Sequence, residues 1–393
     1  MIGFHVEPFA LAKYIPTHQS TLETYLEWRF AQQRLARPSE PDAVRLLVSC
    51  GWLEPKAHGA ELALYNRIQG NAPAALRQSV KDGLLVNVRG PRGRRYWVER
   101  SVAPFAIAAA NRPLARRWKP VWTGLGLDDD KKQAFRLRVL ELLGDSNSLP
   151  DALAARAPEA LRAPLPPEAA KKVGLLGRVL DLLLVEMEEA GLVHLSDEGW
   201  ARFETRFPKL PKPGEIPFYE AQSKVIERYF AWGNAATPAD VAWWGGWSAT
   251  QVEKILLSGD LPLANLVMAG GMAHGFMIHQ QYAESLRIHK PLREAVPVFL
   301  PERDPLFSHN PHLYRRVLDE KQLGILFHRE DKWRPAVFVQ GKPVAAWRME
   351  EAGPAWTGAA RIDPVLRKRM QSAADRLMAW LRDQKLELPK GYG

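Results

Sequence analysis

The sequence predicts a mainly α-helical protein with β-hairpins, an α+β chain of three tandem winged helix-turn-helix modules plus a C-terminal α+β unit. Three observations predict it. The stretch Asn234–Leu257 has the grammar of a helix-turn-helix. The order helix–strand–turn–strand occurs near 40–100, again near 131–206 and again near 217–280, as a repeat of pattern rather than of identity. Past Leu286 the character changes to short apolar β segments and one long closing helix. The boundaries are then 1–118 for an N-terminal arm and first module, 119–210 for the second, 211–290 for the third, and 291–393 for the closing unit.

Length and composition bound the rest. A chain of 393 residues can bury two or three cores. Its formal charge of +10 favours a polyanionic partner. Cys50 is the single cysteine, which excludes a disulfide within the chain and a cysteine-rich zinc site. The N-terminus lacks a basic region followed by a sustained apolar one, and no apolar run is long enough to span a bilayer. The expectation is a cytoplasmic monomer, nucleoid-associated when on DNA, without a membrane, metal or cofactor. Neither a phosphate-binding P-loop, a dinucleotide fingerprint nor a nucleophile elbow is present.

Residues 1–20 form an arm without periodicity. Thr21–Arg37, Pro41–Cys50, Gly59–Ile68 and Ala72–Lys81 read as helices, the second opened by proline. Leu84–Val88 is a strand, Arg89–Arg94 a loop, and Arg95–Val98 the return. Arg89, Arg92, Arg94 and Arg95 fall within seven residues, with Arg100 just after. Arginines on a Gly/Pro hairpin tip suit phosphates or a narrow minor groove; the competing reading is a solvated hairpin.

Pro104–Trp118 reads as an alanine-rich helix and Lys119–Asp130 as a linker. Asp128, Asp129 and Asp130 stand where carboxylates favour a helix start, a better reading than metal binding. Helices Lys131–Leu143, Leu149–Arg156 and Ala170–Ala190 follow, with a Pro/Ala-rich insertion over Pro150–Pro167. Gly191–Leu195 and Trp200–Glu204 are the second hairpin. Arg206–Pro217 is a stiff proline linker.

In the third module, Phe218–Trp232 is a helix. Thr237-Pro238 is an N-cap followed by proline. Gly245-Gly246 turns the chain. Ser248 and Gln251 make a capping box for a helix whose stripe is Val252, Ile255 and Leu256. Ser248, Gln251 and Lys254 are the residues this helix offers to a DNA groove. Leu261–Met268 and Gly275–Ile278 make its wing, flanked by His274 and His279. Trp243, Trp244 and Trp247 could stack on bases, but their spacing puts at least one of them in the core. Ala295–Leu300, Leu323–His328, Trp333–Val339 and Val344–Arg348 are β candidates, with a turn at Gln340-Gly341-Lys342. Ile362–Gln384 is the closing helix.

Two stretches resemble the winged-helix crosslink-repair DNA glycosylases, the AlkZ-like family: ATPADVAWWGG (Ala236–Gly246) and PERDPLF (Pro301–Phe307). The second is similar to a family segment in which an aromatic-Asp-Pro motif follows a strand; Asp304-Pro305 matches, and Arg303 replaces the aromatic. WRPAVFVQGKPVAAWR (Trp333–Arg348) resembles the family's terminal hairpin. The resemblance implies a curved tandem array around duplex DNA and hydrolysis of the N-glycosidic bond of an alkylated purine. It also implies a catalytic Gln-X-Gln or Gln-X-Asp motif. Counting back from Leu64-Tyr65-Asn66-Arg67 places that motif at Leu53-Glu54-Pro55, where both glutamines are missing.

Glu54 is the only carboxylate on this turn, so it is the catalytic candidate, as a base on water or a counter-charge to a cationic sugar. Its competing reading is a solvent-facing turn residue. His309-Asn310-Pro311-His312 near Asp304 has ligand types without a fixed third ligand. The function expected is therefore that of a duplex DNA-binding protein like the glycosylases that excise alkylated purines or unhook crosslinks, with an altered motif. The alternative is a non-catalytic winged-helix regulator or lesion sensor, and a third reading is a protein-interaction scaffold.

Overall fold

A computed structural model of the protein describes residues 16–38, 42–110, 113–156, 175–258, 261–269, 273–329, 332–358, 362–388 and Tyr392. Residues 1–15 of the expected arm and 157–167 of the expected Pro/Ala-rich insertion lie outside the described residues, and Pro150–Arg156 of that insertion is a helix. The strands are β1 (Thr17–Thr21), β2 (Leu85–Arg89), β3 (Arg95–Glu99), β4 (Val193–Ser196), β5 (Gly199–Arg202), β6 (Leu263–Ala269) and β7 (Ala273–His279). The remainder are β8 (Pro297–Leu300), β9 (Phe327–Arg329), β10 (Lys332–Trp333), β11 (Ala336–Val339), β12 (Lys342–Glu350) and β13 (Gly353–Thr357). The fold is mixed α+β, with strands paired as hairpins or gathered into small sheets.

Two compact units form. One comprises Met1–Val86, Trp97–Glu99 and Ile226–Gly393; the other comprises Asn87–Tyr96 and Arg100–Val225.

In the first unit the organising element is the antiparallel sheet β13-β12-β11-β8. Successive residues of a strand point to opposite faces, and here each face meets its own core. Val298, Leu300, Ala336, Phe338 and Ala346 lie in one core with Tyr25, Phe30, Leu306 and Tyr314. Phe299, Val337, Ala345 and Trp347 lie in the other, with Leu46, Leu64, Met370 and Leu377. A sheet covered on both faces reads as continuous apolar runs, which is why VPVFL and PAVFV lack a polar alternation. The helices Ala43–Cys50 and Gly59–Tyr65 contribute to one of these cores, and the helix Leu22–Gln32 to the other.

The helix-turn-helix stretch forms as its caps dictate. The helix Pro238–Gly245 starts at Thr237, with Asp240 closing a capping box. Gly246 takes the left-handed turn (φ 73°). The helix Ala249–Leu257 starts at Ser248, whose side chain accepts from the Gln251 N–H while the Gln251 side chain accepts from the Ser248 N–H. Val252, Ile255 and Leu256 are its buried stripe.

Several elements differ from expectation. Thr17–Thr21 is a strand, paired in parallel with β6 from Thr17↔Asn265 to Thr21↔Ala269. Polar THQST has no apolar period, so only the long-range partner reveals it. Leu323–Leu326 is the end of a helix, Glu320–Leu326, not a strand; Asp319 and Gln322 form the capping box that starts it. Pro104–Trp118 is not one helix, for Ala103–Ala108 ends and another begins at Pro113, a residue that disfavours helix in the residue before it. Lys119–Gly124 closes that second helix and Asp129 opens the next, so only 125–128 of Lys119–Asp130 is a connection, and Trp122 and Leu127 are buried. β13 was not anticipated. The helices Gln280–Arg287, Pro305–Ser308 and Pro311–Val317 were likewise unforeseen.

The second unit has its own core of Phe135, Val139, Leu143, Leu180, Leu183, Leu184, Met187 and Trp200. It packs the helices Asp129–Leu143, Pro150–Arg156 and Leu175–Glu189 around the β4–β5 hairpin. Asp128 caps the first of these, its carboxylate accepting the Lys131 N–H at 2.8 Å, so the acidic triplet begins a helix.

Candidate active site

The turn after the Ala43–Cys50 helix is tightly held. Gly51 has φ 120°, and a Cβ there would fall 2.5 Å from the His309 ring, so glycine is required both for conformation and for space. Trp52 is buried, and its indole N–H donates to Glu99 Oε2 at 3.0 Å. Its ring meets Trp232 at 5.3 Å and Trp244 at 5.9 Å between centroids. The Leu53 carbonyl accepts the Trp97 N–H at 2.8 Å, and its side chain is buried. Glu54 follows on this fixed backbone, and Arg303 Nη1 donates to Glu54 Oε2 at 2.8 Å.

Arg303 stands just past β8, at the head of the Asp-Pro segment. Its carbonyl accepts the Ser308 hydroxyl at 3.1 Å. The next residue, Asp304, is wholly buried and caps the Pro305–Ser308 helix. Arg67 clamps Asp304 with both terminal nitrogens, at 2.7 and 2.6 Å, and also donates to Gln33 Oε1 at 3.1 Å. Gln33 in turn donates to the Cys50 carbonyl at 2.7 Å. Two ion pairs of opposite order thus leave neighbouring residues of one segment, 303 and 304.

Around Glu54 the charges alternate. Lys56 pairs with Glu302 at 3.2 Å, Glu302 with Arg303 at 3.5 Å, and Arg303 with Glu54. Side-chain exposure falls along the series from 66% at Lys56 to 12% at Glu54. A cleft of about 10 Å³ lies between Leu53, Glu54, Lys56, Pro301, Arg303 and Tyr392. That is about the volume a single water needs, and far below that of a purine.

The chain has its family match here: the AlkZ-like DNA glycosylase model covers residues 53–382. The chain belongs to the AlkZ-like DNA glycosylase family. Its fold is similar to that of the DNA glycosylase AlkZ of Streptomyces sahachiroi, with a TM-score of 0.71 at 18% identity over 95% of this chain and 99% of that chain. No curated protein sequence matches significantly. Family membership connects the chain to DNA repair.

The other expected site residues fall into two groups. Arg89 and Arg95 turn onto one buried carboxylate, Glu188, at 2.8 and 2.6 Å. Arg95 also donates to Asn87 Oδ1. Arg100 donates to the Arg206 carbonyl at 3.1 Å and lies over the Phe207 ring. Arg92 occupies the left-handed region at the hairpin tip (φ 59°) and is exposed, and Arg94 is half-buried. Arg89, Arg95 and Arg100 are thus tied to groups within the unit, and Arg92 stands exposed at the hairpin tip. Ser248 and Gln251 are exposed but engaged as caps; Lys254 is exposed.

The histidine stretch is structural. His309 is buried and stacks on Trp232 at 4.9 Å, and Asn310 donates to the Ala235 carbonyl at 2.6 Å. His312 meets the Trp243 ring edge at 5.3 Å. Trp244 and Trp247 are buried and Trp243 half-buried. His279 caps the Gln280–Arg287 helix through Nδ1, and burial lowers its pKa below the ordinary imidazole value; the His274 side chain lies outside the described residues. Sequence reasoning missed Arg67, Gln33 and Glu188. An arginine beside the helix matched to the family, and a carboxylate in an otherwise apolar stripe, were the available signals.

Proposed function

We propose that this protein binds duplex DNA as three tandem winged-helix modules with a C-terminal α+β unit, and that it is a weak glycosylase acting through Glu54. The four-part division 1–118, 119–210, 211–290 and 291–393 belongs to this proposal. DNA is the partner implied by the family. The observation that carries the reading is the Glu54 carboxylate, on the turn where the resemblance assigns the family's polar pair, beside a water-sized cleft that Glu302 also lines. Leu53 and Pro55 offer no side-chain hydrogen bond. Hydrolysis must still align a water and offset positive charge on the sugar, and loss of one preorganised polar contact costs about 3 kcal/mol, on the order of a hundredfold in rate. Excision should therefore appear first on bulky cationic N7-alkylguanine, whose base leaves with least help.

On the DNA side, Arg89, Arg92, Arg94, Arg95 and Arg100 are the wing's phosphate ligands, with Arg92 foremost at the exposed tip and Arg89, Arg95 and Arg100 also holding the hairpin in place. Ser248, Gln251 and Lys254 stand on the exposed side of the third-module helix. A lesion sensor is the second reading, favoured by the Arg303 partner that offsets the Glu54 charge. Base release from a duplex with mixed N-alkyl lesions tests the choice, with duplex affinity measured alongside. Release that Glu54→Gln abolishes while binding persists supports the glycosylase. Binding without release supports the sensor. Robust excision by Glu54→Ala sinks the assignment of Glu54.

A further inference from the structure

Both departures from the family pattern meet at one contact. Glu54 stands where the resemblance puts the polar pair, Arg303 stands where it puts an aromatic, and the two side chains are 2.8 Å apart. Each is anchored from behind. The Glu54 turn is pinned through Leu53 to Trp97 and through Gly51 against His309. Arg303 is pinned through its carbonyl to Ser308 and through its neighbour Asp304 to Arg67. Arginine approaching a carboxylate from a rigid backbone restricts the carboxylate's rotamers.

We propose that Arg303 is a positioning residue for Glu54, so that the two side chains form one unit that orients a carboxylate towards a cationic sugar at the duplex surface. This rests on the proposed function above. The unit stands an ion pair where the resemblance implies a polar pair, and it selects for cationic over neutral ligands only while the carboxylate is held in place. Glu302 and Lys56 extend the unit outward and keep its summed charge at zero, so the preference comes from geometry and not from a bulk field.

The test compares duplexes carrying a cationic pyrrolidine abasic-site mimic with duplexes carrying a neutral tetrahydrofuran abasic site. The wild-type protein should bind the pyrrolidine duplex roughly tenfold more tightly, about the worth of one charge-assisted contact. Glu54→Gln, Arg303→Met and the double variant should each lose the preference to the same extent, because removing either half removes the unit. Arg303→Lys should keep part of it, since the charge remains and the planar fork does not. Thermal unfolding checks that each variant folds, and Arg303→Gln replaces Arg303→Met if that one does not.

An Arg303→Met protein that retains or gains preference overturns positioning and makes Arg303 a mask on the Glu54 charge. Losses that add in the double variant overturn the single unit. Equal wild-type affinity for both duplexes overturns the proposal while duplex binding stands. Binding of neither duplex overturns the DNA reading and this proposal with it.

Discussion

Arg67–Asp304 and Arg303–Glu54 share one segment and the same chemistry, yet they do different work. The first pair is 0% exposed on both sides, bidentate, and surrounded by further bonds to Gln33 and the Ala63 carbonyl. The second meets at 2.8 Å, with Arg303 also paired to Glu302, and leaves 28% and 12% of its side chains exposed. Removing one partner of a buried pair leaves an uncompensated charge in low dielectric, whereas a pair reached by water relaxes. The difference teaches that a wholly buried ion pair marks the frame, and that the part-exposed one beside it is the pair solvent can reach.

The largest expected effect breaks the frame. Arg67→Met or Asp304→Leu alone should destabilise the protein by about 3–5 kcal/mol, and the double replacement should cost much less than the sum. Urea unfolding checks this. Single variants within ~1 kcal/mol of wild type would mean that the buried pair is no more important than the exposed one.

The same contrast recurs in the β2–β3 hairpin. Arg89→Ala with Arg95→Ala strips both cations from Glu188, which is 1% exposed, and should cost about 2–4 kcal/mol of stability. Arg92→Ala with Arg94→Ala should cost less stability than that and reduce the slope of log affinity against log salt by about 2. A salt slope unchanged in the tip variant but changed in the folded Arg89/Arg95 variant would reverse the assignment.

These contrasts show what was legible in the sequence. The caps of the helix-turn-helix stretch, Thr237 with Asp240 and Ser248 with Gln251, follow from side-chain hydrogen bonds to backbone three residues away, so local sequence suffices. Glu54 could be placed by counting from a matched helix. Its partner could not, because 249 residues separate them and nothing local to Arg303 marks a contact. The five arginines near the hairpin looked equivalent for the same reason: Glu188 sits 93 residues beyond Arg95 and divides them. β1 escaped notice because its hydrogen-bond partner lies at β6.

A smaller effect sharpens the comparison at the site. Glu54→Gln should change stability by no more than ~1 kcal/mol, since both side chains of that pair retain access to water. Urea unfolding beside the Arg67 and Asp304 variants gives the ratio directly. A cost equal to theirs would make the Glu54 pair part of the frame and would remove the argument for a chemical role.

The smallest net effect comes from two groups of the second unit that burial shifts in opposing ways. Burial raises Glu189 to about 7, with Glu188 and Glu186 adding to the rise against the pull of Arg89. Burial lowers His194 to about 3, helped by Arg95 and Arg206. As pH rises from 4.5, the unfolded chain ionises Glu189 while the folded chain keeps its proton, so this group removes stability until pH 7. As pH rises from 3 to 6.5, the unfolded chain gives up the His194 proton that the folded chain never holds, so this group restores stability. Between pH 4.5 and 6.5 the two slopes oppose, and wild-type stability should vary little on their account. Glu189→Gln removes the falling limb alone. That variant should match wild type at pH 4 and exceed it at pH 8, with the gain appearing across 4.5–7, while His194→Gln should flatten the rise below 6.5. Denaturant midpoints measured at half-unit pH steps read both. A Glu189→Gln gain that is the same at pH 4 and pH 8 would show that the carboxyl is not held protonated, and that water reaches it as freely as it reaches the Glu54 pair.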